Sequence, residues 1–344
     1  MVGRTQLLAL ALAGLFLISC GKRNSPTGPN SVNLILTGQW DSPGYATDLN
    51  VRGNYVYLAD DQSGFHVLNV ADRAHPRLVS TLGSNFYSIT MLSASTQVNL
   101  LAVVDDNNQR YFYNIADPDS VTAFDGTDSN TRTNDILVIG GSPDAPDADS
   151  LMMLFTGDSN DGLTFTLYQS FHFGDVTSWA GIANSETQTY GRTLGVTNDG
   201  YLVLTAQDQM GLVIYNYTDY NNPVELGRMD TPGSARRVAV ADSIAYIADG
   251  RFGVNIISYH DPDSLKQLGQ IAIPGYVNDV AVQGNMVIAA AGDGGTFVID
   301  VSNPTASTLV GRYQSSYTYA VETTSDAIFV ADRDDGLLIF SLER

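Results

Sequence analysis

The sequence predicts an all-β chain closed into a seven-bladed β-propeller. Three observations carry the prediction: a repeat with a period of 42 and 41 residues between its last copies, four short strand patterns in each clear copy, and a final copy that lacks its fourth strand while a spare one stands at the start of the chain. The repeat is sharpest where Leu49, Val238, Val280 and Val321 each stand 11 residues before Asp60, Asp249, Ala291 and Asp332. One such unit cannot bury its apolar faces alone, so the copies must stack.

Within a copy the strands follow from alternation and turn residues. In the copy that starts at Gly275 the spacing predicts strands over 275–282, 286–290, 296–301 and 308–313, with Asn303-Pro304 stopping the third. His75-Pro76, Asp117-Pro118 and Asp261-Pro262 punctuate other copies in the same place. Two less regular copies fill 88–125 and 134–186, and another begins near Tyr190. Seven starts are counted, and the irregular middle leaves six or eight blades as alternatives. The last copy ends after LLIFSLER, its third strand. The segment VNLILTGQW from Val32 has the fourth-strand pattern, so it is expected to complete the last blade and close the ring.

Ahead of that strand, residues 1–19 read as a signal peptide, with Arg4 before an apolar run from Leu7 to Ile18 that is too short to span a bilayer comfortably. Leu17-Ile18-Ser19-Cys20 resembles the bacterial lipobox, in which the chain is cleaved before a cysteine that then carries acyl chains. Cys20 is the only cysteine in the sequence, and lipidation accounts for it. Residues 20–31 are polar and contain Gly, Pro and Ser, so they are expected to form a flexible tether, with residues 32–344 as the propeller. Gly21 stands where an aspartate would retain such a protein at the inner membrane, which points to the outer membrane of the cell envelope.

The formal net charge is −20 at pH 7. Such a field repels phosphate backbones, no Lys/Arg stripe reverses it locally, and nucleic acid is excluded as a partner. The expected contacts are a membrane, through the lipid anchor, and an unidentified protein or glycan; the body is expected to be monomeric.

The copies resemble the LVIVD-repeat family of bacterial and archaeal surface or secreted propellers. The resemblance rests on the VYLAD, AYIAD and IFVAD second strands, the HVLNVAD, TFVIDVSNP and LLIFSL third strands and the LVGRY-like fourth strands, with 298–304 the best match. It covers four copies well and implies a propeller in the cell envelope. It implies no particular chemistry, because no shared reaction defines the family.

One end of the predicted ring collects the turns between second and third strands and the links between blades. The turns are rich in aspartate, and the links carry Tyr45, Tyr190, Tyr276 and Tyr317, followed by Asp48, Asp135 or Asp279 where an inner strand begins. Tyrosine beside carboxylate suits a sugar, a peptide or a cation, and these seven residues are the candidate binding set. The competing account is structural: Asp and Gly are what tight turns require, and a tyrosine at a blade junction packs against its neighbour.

Oxygen-rich loops also suit calcium, but the runs 158–162 and 332–336 miss the alternate spacing of an EF-hand and lack its distal glutamate. The four histidines show no zinc-ligand spacing, and no nucleophile elbow or phosphate-binding loop occurs. No cofactor or metal is therefore expected. The leading expectation is a non-enzymatic envelope scaffold; the alternatives are a propeller enzyme with its site at the channel mouth, a hydrolase or dehydrogenase, and a purely structural envelope component.

Overall fold

A computed structural model describes residues 31–83, 89–95, 97–124, 133–141, 151–158, 162–173, 176–187 and 191–343. The lipobox string with Cys20, Tyr190 and the acidic stretch 142–150 lie outside the described residues.

Seven four-stranded antiparallel sheets form the ring. Blades 1 to 6 each use four consecutive strands, over 48–82, 89–123, 133–186, 193–229, 237–271 and 279–313. Blade 7 takes its three inner strands from 318–343, and its outermost strand is Asn33–Trp40. That strand runs antiparallel to Gly336–Glu343, from Asn33 opposite Glu343 to Trp40 opposite Leu337, with a bulge between Leu36 and Gly38. Val32 and Leu34 are buried, and the Val32 N–H donates to the Val310 carbonyl of blade 6 at 2.9 Å. Two fully buried aliphatic side chains contribute about 1.5–3 kcal/mol each, so the closing strand is held by packing as well as by its ladder.

The innermost strands are Asp48–Arg52, Ile89–Ser95, Thr133–Gly140, Thr193–Asp199, Arg237–Ala241, Asp279–Gln283 and Thr318–Thr323, and each packs beside the next around the channel. The second and third strands are nearly all apolar and buried, because both their faces lie against neighbouring blades. The central core is therefore divided into layers between blades, such as the one joining Tyr246, Val254 and Ile256 of blade 5 to Val280, Val287 and Phe297 of blade 6.

Two features of the repeat now have physical causes. Asn or Asp after the third strand caps a turn: Asn69, Asn114, Asn216 and Asp300 each accept the backbone N–H two residues on, at 2.8–3.0 Å. The fourth-strand glycine stands where the next blade comes closest. A Cβ on Gly227 would overlap the Pro262 carbonyl oxygen, and one on Gly269 would lie 2.8 Å from that of Pro304. The Xaa-Pro turns of blades 5 and 6 thus seat on the outer-strand glycines of blades 4 and 5.

Candidate functional site

The aspartates at the end of the second strands are committed to the fold. Asp60 accepts the Gly44 N–H and pairs with His66, both at 2.9 Å; Asp249 accepts the Gly233 N–H at 2.9 Å and the Asn255 side chain at 2.7 Å. Asp332 accepts the Tyr317 N–H at 3.1 Å and the Ser316 hydroxyl at 2.7 Å. In all three blades the carboxylate ties the turn after the second strand to the loop that leads into the inner strand. Blade 6 replaces Asp by Ala291 and its partner, His66 in blade 1 and Asn255 in blade 5, by Phe297. The polar pair is exchanged for an apolar one together, which leaves no orphaned polar atom at that pair. Asp332 also accepts from the Asp334 and Asp335 N–H groups, so within 332–336 its oxygens serve the turn. Among the described residues no cluster of three or more His, Cys, Asp or Glu is arranged to hold a metal ion.

Of the tyrosines, Tyr45 is 52 % exposed at the rim. Tyr276 and Tyr317 lie against the positive-φ glycines Gly250 and Gly292 of the preceding blades, where a Cβ would come within 3.0–3.2 Å of their rings. Each ring also carries a guanidinium at 5.4 Å, Arg236 over Tyr276 and Arg333 over Tyr317.

Asp48, Asp135 and Asp279 begin their inner strands and reach across to the next blade. Asp48 accepts the Leu92 N–H at 3.0 Å, Asp135 the Val196 N–H at 2.7 Å and Asp279 the Val321 N–H at 2.9 Å. Deeper in the channel Glu322 accepts the Val51 N–H, and Ser93 accepts that of Val138 at 3.0 Å. These are clips between blades, each a charge-assisted or neutral hydrogen bond inside the ring.

Arg237 occupies in blade 5 the place that Asp48 and Asp279 hold in blades 1 and 6. It pairs with Asp135 and donates to the Leu194 carbonyl at 3.2 Å. Burial alone would lower its pKa, but Asp135, Asp48 and Asp279 outweigh burial and keep it charged. The carboxylates are shifted the other way. Burial pushes Asp48 up to about 7, Asp279 to about 6 and Glu322 to about 8, with Arg237 opposing the first two and the Val51 N–H opposing the third. Burial also raises Asp135, against the pull of Arg237.

Above this charged layer a cavity of about 420 Å³ opens at the channel mouth, and every blade contributes to its wall. Thr47, Asn134, Leu194, Arg236, Asn278 and Tyr319 each stand one residue before the position of Asp48, and Met91 represents blade 2. Arg192, Thr133 and Asp106 widen the polar lining. None of the six described candidates lines this cavity; Asp48, Asp135 and Asp279 each directly follow a wall residue in sequence, and the wall itself is made of other residues. Sequence reasoning missed Arg236, Arg237 and Glu322. The available signal was the charge reversal in RRVA from Arg236, aligned with TDLN and NDVA.

The family model for the LVIVD repeat matches residues 43–82, 232–258 and 274–315, and the chain carries LVIVD repeats. No curated protein matches the sequence. Among solved structures the chain is similar to the β-propeller domain of Cps50 (Swd1) from Myceliophteria thermophila, at 11 % identity and a TM-score of 0.67, covering 90 % of this chain and 99 % of that one. At that identity the likeness bears on the fold alone: a seven-bladed propeller built partly from LVIVD repeats.

Proposed function

We propose that this protein is a cell-envelope lipoprotein, lipidated at Cys20 and held on the outer membrane, whose propeller acts as a non-enzymatic binding scaffold for a protein or a glycan. The observation that carries the binding reading is the mouth cavity, into which all seven blades send side chains of differing chemistry. A purely structural ring has no need of such a converging wall, whereas ligand sites are concave and built from a few placed polar groups. The anchoring reading is supported by the Leu17-Ile18-Ser19-Cys20 string and by a polar stretch to residue 31 that joins the outermost strand of blade 7. The body would then hang from its rim.

Fractionation of a Cys20→Ala variant tests the anchor. The expected result is a soluble or unprocessed protein, because stable attachment requires acyl chains; retention in membranes after high-salt washing would refute it. Protease shaving of intact cells, combined with a pulldown on the wild-type chain, tests the scaffold. A partner captured by the wild type and lost when Tyr276 and Asp279 are both replaced by Ala, with secretion and a cooperative melting transition above the assay temperature retained, supports a binding mouth; a large stability loss with unaltered capture supports the structural account.

A further inference from the structure

The mouth cavity is far less acidic than the molecule as a whole. It is lined by three arginines and two aspartates, while the chain has 17 basic against 37 acidic residues. Asp105 is committed to its own turn, accepting the Asn107 and Gln109 N–H groups at 2.9 Å and the Tyr111 hydroxyl at 3.2 Å. Arg237 is committed to Asp135. Arg192 and Arg236 remain, with no carboxylate partner among the described residues.

Two orphaned donors mark the same place. The Arg236 Nε is buried without a hydrogen-bond partner, and so is the Thr133 hydroxyl, on a residue only 4 % exposed that lines the cavity. An unpaired buried donor is costly, and a ligand oxygen would relieve both. Arg236 is also held against the Tyr276 ring, which fixes its planar fork in advance.

We propose that this cavity binds a sugar acid, its carboxylate taken by Arg236 and Arg192 and its hydroxyls by Thr133, Asp106 and the Oδ1 of Asn278, whose amide N–H already donates to the Thr318 carbonyl at 2.9 Å, a deepening that rests on the binding-scaffold reading. Several features favour this chemistry. A planar guanidinium matches a carboxylate bidentately. The wall is mostly amide, hydroxyl and guanidinium, with Met91, Leu194 and Tyr319 as its apolar members, which suits a hydroxylated ring better than the apolar anchor of a peptide. The volume lies within the roughly 300–1,000 Å³ usual for small-molecule sites. A monoanion also meets less of the surrounding negative field than a phosphate dianion would.

Calorimetric titration of the purified full chain with D-glucuronate, D-glucose and L-glutamate tests the site. Glucuronate is expected to saturate it, binding about tenfold or more tightly than either control, because each control lacks one half of the recognition. Arg236→Gln and, separately, the exposed Arg192→Gln should each weaken glucuronate by about tenfold. The second variant keeps the test meaningful if loss of the Tyr276 contact disturbs folding in the first. Glucose or glutamate binding as tightly as glucuronate, no saturable glucuronate binding, or unchanged affinity in the Arg192 variant overturns the proposal. Failure to bind glucuronate overturns this site alone, since partner capture is read independently by pulldown. Conversion of glucuronate to a product, seen by mass spectrometry, supports the site and overturns the non-enzymatic reading.

Discussion

Blades 5, 6, 7 and 1 repeat one sequence, while blades 2, 3 and 4 depart from it, yet both arcs solve the same problem of joining one inner strand to the next. In the regular arc Asp48 and Asp279 clip the strand beside them. In the irregular arc Asp135 does the same, Ser93 adds a neutral clip to Val138, and Gln97 accepts the Gly140 N–H at 2.9 Å. The outer strands differ more. Blade 2 ends in the two-residue strand Thr122–Ala123, and blade 3 in the 11-residue strand Val176–Glu186. The ring therefore constrains the channel side of each blade closely and its rim loosely, because the blades converge on the channel and fan apart toward the rim.

The sharpest way to break the regular arc is to remove its borrowed strand. Deletion of 32–40 should expose the edge of Gly336–Glu343 and the apolar layer beneath it, so the chain should aggregate or lose its cooperative calorimetric transition. An unchanged melting transition would mean that the segment is dispensable for closure.

Asp135→Ala is expected to be the next most damaging change, at about 3–5 kcal/mol, because it leaves the Arg237 guanidinium buried without its ion pair. Asp279→Ala removes a comparable backbone clip but leaves the Arg237–Asp135 ion pair in place, and should cost about 1.5–3 kcal/mol in urea melts. Equal losses would mean that Arg237 finds a sufficient partner in Asp48 or Asp279.

A paired glycine experiment compares, within the irregular arc, an outer strand that seats the next blade with one that does not. Gly227→Ala must push the Pro262 carbonyl away and should destabilise by about 1–3 kcal/mol. Gly181→Ala, on the outer strand of blade 3, meets nothing nearer than 3.7 Å and should shift stability by no more than about 0.5 kcal/mol. Similar losses at both positions would remove the distinction between a seated and a free rim.

The last comparison concerns pH. Asp48, Asp279 and Glu322 have native pKa values of about 7, 6 and 8, above their ordinary 3.8, 3.8 and 4.5. The native state thus binds more protons than the unfolded chain between about pH 4 and pH 8, and stability falls as pH rises through that window. Asp135 and Arg237 face the same layer; Asp72, Asp326 and Asp334, whose values are lowered, are exposed and act at more acidic pH. Glu322→Gln retains an acceptor for Val51 and should flatten the fall between about pH 6 and pH 8. A profile parallel to wild type would assign the slope to other groups.

The architecture was legible because the contacts that stack one blade on another recur with the blade. The spacing of Leu49, Val238, Val280 and Val321, the Xaa-Pro turns and the fourth-strand glycines are all imprints of neighbour-on-neighbour packing. The strands predicted over 286–290 and 308–313 coincide with those of blade 6, whereas the first was drawn from 275 although regular pairing begins at Asp279. Residues 275–278 look extended in sequence because they carry the link across from blade 5, where Gly250 bridges Val277. The cavity was not legible for the opposite reason. Its wall uses Thr47, Asn134, Leu194, Arg236, Asn278 and Tyr319 at one register, six positions filled by five residue types. A search for what repeats passes over the one layer in which the copies differ.

The pairing of Asn33–Trp40 with Gly336–Glu343 also sets a timetable. The outermost strand of blade 7 leaves the ribosome first, and the strand it must pair with is made only after all the other blades. Until then the ring cannot close, and a strand with buried-type side chains at Val32 and Leu34 waits without its ladder. The pairing with the largest sequence separation among the described strands is thus the last one available as the chain emerges, and such contacts slow folding and prolong the exposure of sticky edges. A circular permutant that makes Asn33–Trp40 directly after Gly336–Glu343 would let each blade finish in turn, and its refolding would be faster for the same native structure.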